Sequence, residues 1–593
     1  MAIWTIKQSS ADIEQLATDA GLEPVLARIL AVRGIRSPQE ARTFLHPETY
    51  QLPDPLGFRD MDKALAVARE ALAQHRKCCV FGDYDADGVM STVIMLRTLR
   101  ELGGEAVYYI PQRESEGYGM NNAALDVLHQ QGVQVIFACD NGISAFEQAL
   151  YARELGMTMV ILDHHAVTLD DEGRQVLPEA AAVVDAKRPD CTYPFKEYCA
   201  AGLCYRFSQA LFTACGQDWR SLRQQLLPFA TMATICDLVE LIDDNRALVR
   251  CGLPLLHNSN NPGIRALISA TGLDGKQIDT YHLGFVIGPC INASGRLDIA
   301  DTAVELFLTD QAERAGQLAA QLVELNHQRR VLTEEGARLA FELVEKQELD
   351  KNKVIVLYCD EIQESVAGII AGRVKERFYR PSVVLVGKGE TLRGSCRSVE
   401  GYNIYLGLYS CRDLLPAFGG HPMAAGLAVG VADIPELQRR LNEDCQISLE
   451  DLQPSYRIDC PLLPSQAGLE LARSLLQLAP YGKGNLCPLF AVKALRLTRT
   501  SLLGKNENVM RWYFRQPDGA GCEVIDFCHR DRLHNLLNEH FGNNLWQELL
   551  NGRPGRSVEL DLIYQLNVNS YNGRETAQLQ VIDFRLSESA ANS

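Results

Sequence analysis

Three carboxylates alternate in Asp83-Tyr84-Asp85-Ala86-Asp87, directly after the apolar run Cys78-Cys79-Val80-Phe81. In an extended chain, side chains two apart point the same way, so Asp83, Asp85 and Asp87 are expected to converge on one point. Three negative charges held together repel one another unless a cation sits among them. Oxygen ligands in that number suit Mn²⁺ or Mg²⁺. The same residues also read as an Asx-rich turn between a strand and a helix.

Three further pieces carry matching chemistry. Asp140-Asn141-Gly142 follows the apolar run 133–139, Asp163-His164-His165 follows 158–162, and Asp237 closes Ala233-Thr234-Ile235-Cys236-Asp237. Each has a plain alternative, since an Asp after a strand often caps a helix and a His pair often lies on a surface or in a satisfied core. Together they offer several carboxylates and an imidazole at one sheet edge. That is a ligand set for two divalent ions sharing a carboxylate, which can clamp the oxygens of an in-line phosphoryl displacement.

The elements that must position these residues read as α/β. Strand candidates are Cys78–Phe81, Ala106–Ile110, Val133–Cys139, Thr158–Leu162 and Ala181–Val184. Helical stretches such as Ser91–Leu102 and Ala145–Leu155 lie between them. Strand–helix alternation predicts a parallel sheet with helices on both faces. Ligands bind such sheets at the carboxyl ends of the strands, where Asp83–Asp87, Asp140 and His164 fall. Residues 1–75 read as an N-terminal helical segment and 76–309 as the domain of this sheet. Residues 310–348 read as one long connector helix or a broken pair, interrupted by Gly316 and Gly336. A second α/β segment covers 349–445, with strands Val354–Tyr358 and Ser382–Val386 and a Gly-rich end at Gly419-Gly420-His421. From 455 to 586, β patterns at Val509–Phe514, Cys522–Phe527, Val558–Val568 and Gln578–Phe584 suit a small β-barrel.

The whole chain bounds these readings. Its 593 residues suggest about three or four domains. Apolar content of 47% and charged content of 22% belong to an ordinary globular protein. The N-terminus has no basic region followed by an apolar stretch, so no signal peptide is expected. No apolar run reaches the roughly 18 residues of a membrane span. The 18 cysteines include no Cys-x-x-Cys pair, which argues against a zinc ribbon, and many sit in apolar runs as small hydrophobes, so reduced thiols and a cytoplasmic setting are expected. A net charge of −17 is the wrong sign for coating nucleic acid non-specifically. A local basic stretch remains, with Arg373, Lys375, Arg377, Arg380, Lys388, Arg393 and Arg397 opposed only by Glu376 and Glu390. It reads equally as a solvated helix face plus loop.

These motifs, in this order, resemble the DHH phosphoesterases. The resemblance continues through Gly288-Pro289-Cys290-Ile291-Asn292-Ala293-Ser294-Gly295-Arg296-Leu297, Gly394-Ser395-Cys396-Arg397-Ser398 and Gly419-Gly420-His421-Pro422. That combination is similar to the RecJ-type single-strand-specific exonucleases. Ala479-Pro480-Tyr481-Gly482-Lys483-Gly484-Asn485 resembles the opening of their C-terminal OB-fold. The resemblance implies a parallel-sheet DHH domain, a connector helix, a DHH-associated domain and an OB-fold barrel. It implies a metal-dependent 5′→3′ exonuclease that degrades single-stranded DNA to 5′-mononucleotides in repair and recombination. Two ions, Mn²⁺ or Mg²⁺, would be held by Asp83, Asp85, Asp87, Asp140, His164 and Asp237, with Asp140 as the bridge. His165, with Asp163 and Asp140, falls at the catalytic positions and would polarise the phosphate or protonate the leaving oxygen. Arg113 matches a position facing the phosphate path. Arg296 falls with the strand-binding residues, and Ser395 and Arg397 match a pocket for the 5′-terminal phosphate. His421 matches a turn that approaches the strand. Implied partners are single-stranded DNA, a helicase and a single-strand-binding protein, with no membrane.

The chain departs from that pattern at three places. Cys290 stands where the family usually has Arg, Ile362-Gln363 where it has Trp-His, and Asp185-Ala186 where it has Asn-Pro. None touches the proposed ligands. Two other readings compete: a DHH phosphoesterase on short oligonucleotides or nucleotides, and a non-catalytic strand-binding relative. The C-terminal barrel speaks against the first and the intact acidic motifs against the second.

Overall fold

The computed structural model describes residues 2–112, 116, 119–170, 172–297, 300–504, 507, 509–516, 518–542, 544–571 and 573–587, with only the backbone of Ser221. The chain divides into two compact units. One holds Gln51–Leu452 with Gly482–Gly484. The other joins the residues up to Tyr50 to Gln453–Tyr481 and to the chain from Asn485 onward.

The first unit opens with a five-stranded parallel sheet. Its strands are β1 (Cys78–Phe81), β2 (Ala106–Tyr109), β3 (Val135–Cys139), β4 (Thr158–Leu162) and β5 (Ala182–Val184), in the order β2-β1-β3-β4-β5. β1, β3 and β5 are buried along their whole length, as sheets covered on both faces require. The strand order reverses between β1 and β3, so the crevice outside their carboxyl ends is the expected ligand position of such a sheet. The Asp83–Asp87 loop leaves β1 there, and Asp140 leaves β3.

The helix after β1, α1 (Ala86–Glu101), begins earlier than the apolar pattern predicts. Asp85 is its N-cap and accepts from the backbone N–H of Asp87 at 2.9 Å and of Gly88 at 3.1 Å. The loop is therefore extended only up to Asp85, and Asp87 already sits in the first helical turn. Gly88 is required there, because a Cβ would overlap the backbone of Asp83. Nearly every residue of α1 is buried, against α2 (Ala200–Ala214) and α3 (Trp219–Cys236). A helix apolar on all sides belongs in a core.

α4 (Gly288–Leu297) is followed at a distance by α5 (Ala312–Lys346), a single helix of 35 residues, which decides between the two readings of that stretch. Gly336 lies where α5 meets α6 (Glu364–Phe378), and a Cβ there would overlap Ile370. The second sheet of this unit comprises β6 (Ile355–Tyr358), β7 (Ser382–Val386), β8 (Thr391–Arg397), β9 (Ala417–His421) and β10 (Ala424–Gly430), in the order β9-β10-β8-β7-β6. Gly419-Gly420-His421 thus ends a strand. The basic stretch disperses over α6, the turns flanking β7, and β8. Arg377 pairs with Glu345 and lies over the Phe341 ring, and Arg380 is spent on backbone carbonyls.

The other unit contains a closed five-stranded barrel. β11 (Phe490–Leu503), β12 (Val509–Arg515), β13 (Gly521–Asp526), β14 (Val558–Tyr571) and β15 (Arg574–Leu586) pair as β11-β12-β13-β15-β14, and β14 returns to β11. Closure removes the open edges of the sheet. The short helices Ile13–Ala20, Pro24–Val32 and Pro38–Leu45 contribute Leu16, Leu26, Ile29 and Leu30 to the same core as Trp512, Tyr564 and Phe584. No helix among the described residues is long and apolar enough to cross a membrane, and the cysteines are all free thiols.

Candidate functional site

Asp83, Asp85, Asp87, Asp140, Asp163, His164, His165 and Asp237 come together at the carboxyl ends of β1, β3 and β4 and the end of α3. The three loop carboxylates do not meet at one point, because the turn into α1 rotates Asp87 away from Asp83 and Asp85. Ligand atoms of Asp83, Asp85 and Asp140 lie within 4.8 Å of one another, and those of Asp87, His164 and Asp237 form a second such group. Asp140 joins them, with its Oδ1 3.2 Å from His164 Nε2. His164 Nε2 is also 3.6 Å from Asp87 and 3.7 Å from Asp237.

Each group is held by its neighbours. The oxygens of Asp87 accept from Ala200 N at 2.7 Å and Ala201 N at 2.8 Å, at the amino end of α2. Asp140 has a left-handed backbone, φ 64°, a conformation Asp and Asn tolerate better than most residues. The Asn141 amide donates to the Phe81 and Cys139 carbonyls, tying the ends of β1 and β3. Asp163 belongs to neither carboxylate group. Its Oδ1 takes the backbone N–H of His164 and His165 and lies 2.7 Å from His165 Nδ1, while Oδ2 takes Ile143 N–H.

Electrostatics show what the cluster lacks. Burial first, and then the charge of Asp85, push Asp83 up to about 8 and Asp87 to about 7. Burial and the charges of Asp87 and Asp85 push Asp237 to about 8, and Asp140 lies well above its ordinary range for the same reasons. Asp83 Oδ1 is buried with no hydrogen-bond partner among the described residues. Burial and the charge of His165 drop His164 to about 3, so its ring stays neutral, as a ligand must be. Burial would raise Asp163, but the hydrogen bond and charge of His165 hold it well below the carboxylate range. Burial would lower His165, but Asp163 lifts it to about 9. Crowded buried carboxylates with an orphaned oxygen and a neutral imidazole fit hard divalent cations.

Two residues of the Gly288–Leu297 motif to which the sequence assigns no role, and one cation outside the motifs, support the site. Asn292 on α4 accepts from the backbone N–H of Ala86 at 2.7 Å. Gly295 leaves room for Tyr84, whose carbonyl a Cβ would overlap. Gly295→Ala is expected to displace that loop. A shift of about 1 Å would cost on the order of a hundredfold in kcat, against a stability loss of about 1–3 kcal/mol, read by steady-state kinetics and thermal unfolding. Lys187 is a further cation whose charge reaches His164, Asp237 and His421. Its only sequence signal is its place after Asp185-Ala186. Asp185 itself is buried and pushed up to about 7 by that burial, accepting Lys187 N–H at 2.7 Å.

A second cluster lies on β8 and α6. Ser395 and Arg397 face Gly368 near the start of α6, where a Cβ would stand 3.1 Å from Arg397 Nη2 and 3.5 Å from Ser395 Oγ. Arg397 donates to the Cys396 carbonyl and has no carboxylate partner among the described residues. Burial lowers its pKa. A helix amino end beside a half-buried guanidinium is suited to an anion. Arg296 reaches the same helix start, donating to the Ser365 carbonyl at 3.1 Å. A cleft of about 820 Å³ beside Ser395 is lined by Tyr84, Ala367, Gly394, Phe418 and Gly426. His421 ends β9, exposed, within range of the charges of His165 and Lys187. Cys290 is buried on α4, accepting from Asn326 on α5, and Arg329 lies near it, donating to Asn326. Gln363 is the N-cap residue of α6. Arg113 lies outside the described residues.

Residues 77–234 match the DHH family, N-terminal domain, residues 351–446 the DHHA1 domain, and residues 458–583 the RecJ OB domain. The chain is 32% identical over 587 residues to the single-stranded-DNA-specific exonuclease RecJ of Escherichia coli, covering 95% of this chain and 96% of that protein. The chain belongs to the RecJ family. The RecJ of Bacillus subtilis is 33% identical over 590 residues, 99% of this chain and 71% of the relative. The crystal structure of RecJ from Thermus thermophilus in complex with Mn²⁺ superposes with a TM-score of 0.80 at 26% identity, covering 99% of this chain and 80% of that one. The RecJ family architecture accounts for the parallel sheet, the second α/β sheet and the barrel.

Proposed function

We propose that this protein is a divalent-metal-dependent exonuclease that degrades single-stranded DNA from its 5′ end to 5′-mononucleotides. The observation that carries it is the pair of ligand groups joined at Asp140. Asp83, Asp85 and Asp140 would hold one ion, and Asp87, His164 and Asp237 with Asp140 the other. When bound, such ions supply Lewis-acid stabilisation of the phosphoryl oxygens. Relatives described as RecJ in complex with Mn²⁺ and with Mg²⁺ support that choice of metal.

The remaining steps belong to the side chains. Asp163 is a positioning residue rather than a catalytic one, because both its oxygens are spent on the backbone and on His165 Nδ1. With Nδ1 committed, His165 delivers a proton to a phosphate or leaving oxygen from Nε2. Arg397, Ser395 and the amino end of α6 take the 5′-terminal phosphate, with Arg296 and His421 along the strand. Arg397→Ala is expected to reduce the preference for a 5′-phosphorylated over a 5′-hydroxyl strand by roughly ten- to a hundredfold, the worth of a charged hydrogen bond. An unchanged ratio of kcat/KM for the two ends would remove the pocket.

The barrel is a platform for single strands, and the backbone is gripped by few cations on an acidic protein. Binding of a labelled single strand should therefore weaken with salt along a shallow slope, about 0.7 per phosphate contact on a log–log plot. We place the protein in the cytoplasm, in DNA repair and recombination. A helicase that frees the strand and a single-strand-binding protein that coats it would be its partners. The test is digestion of a single strand and a duplex by chelator-treated protein with and without added Mn²⁺. Mononucleotides bearing a 5′-phosphate, released from the single strand only when Mn²⁺ is present, are expected. Activity that survives chelation would refute the reading.

A further inference from the structure

Between α3 and α4 the chain forms a short helix, Thr280–His282, and one π-helical turn, Leu283–Ile287. π-turns are rare and recur at functional sites. This one holds two large rings outward. Tyr281 and Phe285 are 61% and 73% exposed, and their rings stack on each other with centroids 5.1 Å apart at 27°. Packing explains neither exposure, since the buried side of the turn is Leu283 and Ile287.

The turn is fixed to the reacting centre. Cys236, the last residue of α3 before Asp237, lies with its Sγ 3.8 Å from the Leu283 carbonyl. Gly284 faces Ile235 across 3.7 Å of would-be Cβ distance, and Gly288 admits Cys236 Sγ where a Cβ would overlap it. Immediately after Asp237, Leu238 adopts a left-handed backbone, φ 55°, and is 67% exposed. A non-glycine residue in that region is strained, and such strain gathers at functional sites. Leu238 thus follows a proposed metal ligand directly, and Tyr281 and Phe285 are held in solvent on a turn packed against the last residues before that ligand. α4, which continues from the turn, carries the Asn292 and Gly295 contacts to the Asp83–Asp87 loop.

Resting on the reading of the protein as a single-strand exonuclease, we propose that Tyr281 and Phe285, with Leu238 beside Asp237, form a stacking ledge for nucleobases of the bound strand. Aromatic faces hold single-stranded bases irrespective of sequence, because every base offers a π-face. Such a ledge would steady bases while the backbone phosphates are read elsewhere.

The test measures equilibrium binding of a fluorescein-labelled thymidine oligonucleotide, and of an abasic strand of equal length, to the full chain in Ca²⁺. The wild type is compared with Tyr281→Ala/Phe285→Ala and with Tyr281→Trp/Phe285→Trp. The alanine variant should bind the base-bearing strand on the order of tenfold more weakly or worse, with little change for the abasic strand. The tryptophan variant should retain binding, and its indole fluorescence should be quenched by the thymidine strand. Thermal unfolding confirms that both variants fold. Equal affinity of wild type and alanine variant for the base-bearing strand would overturn the ledge. So would an equal loss on both strands, or a change in sedimentation alone, which would assign the patch to self-association. A wild type that binds neither strand would instead refute the exonuclease reading.

Discussion

Asp140→Asn is expected to leave the chain folded and to reduce turnover on a single strand by about a thousandfold or more. The substitution suits the left-handed backbone at this position, φ 64°, because Asn tolerates it as well as Asp does. What it removes is the one carboxylate shared by the two ligand groups, with several kcal/mol of charge stabilisation, each ~1.4 kcal/mol being tenfold in rate. Burial and the neighbouring carboxylates already push Asp140 well above its ordinary range, so without metal it carries little charge at neutral pH. Without metal the variant should therefore melt close to the wild type. Mn²⁺ should raise the wild-type Tm through linkage and leave the variant nearly unmoved. Differential scanning calorimetry with and without Mn²⁺, beside single-turnover rates, checks both halves. Near-normal turnover, or an unchanged response to Mn²⁺, would remove Asp140 from the bridge.

His165→Ala should lower kcat by about 10²–10⁴-fold, the contribution of one positioned general acid or base. Binding of Mn²⁺ by calorimetry should be weakened little, because His165 Nδ1 is committed to Asp163 and, although a His165 nitrogen also lies within 4.8 Å of Asp140 and His164, neither the Asp83, Asp85 and Asp140 group nor the Asp87, His164 and Asp237 group includes it. Asp163→Asn should lower kcat comparably through a different route. Its amide nitrogen would face either the Ile143 N–H or the N–H groups of His164 and His165, and in the second case would unseat the His165 ring. That variant should also lose stability, by about 3–5 kcal/mol if the buried His165 charge is left unpaired. A His165 variant that loses Mn²⁺ as well as turnover would make it a ligand instead.

Local signals carried much of this architecture. Thr158–Leu162 and Cys78–Phe81 form strands at the limits their apolar runs predict, and the motif acids fall at the ends of parallel strands. Asp83, Asp85 and Asp87 depart from the expected convergence for a physical reason. Strand alternation ends at Asp85, whose side chain caps α1, and Asp87 lies in the first helical turn beside His164. The alternation rule and the capping rule compete over the same residues, and the cap prevails. Asn292 and Gly295 support the loop across 206 positions or more of sequence, a contact with no local pattern. The sharing of one core by the N-terminal helices and the barrel is equally non-local, as in Trp4 donating to Asp583 at 2.7 Å. Asp163 resembles its neighbours in type, and only its hydrogen bonds separate a positioning carboxylate from a ligand.

The most direct measurement is a Mn²⁺-dependent time course on one single strand labelled at its 5′ end and the same strand labelled at its 3′ end. Wild type is run beside Asp140→Asn, with duplex as control. Wild type should release the 5′ label at once as a mononucleotide and shorten the 3′-labelled strand progressively, while sparing the duplex, and Asp140→Asn should do neither. Early release of the 3′ label, internal fragments from either strand, or comparable digestion by Asp140→Asn would contradict a 5′→3′ exonuclease built on the Asp140-bridged centre.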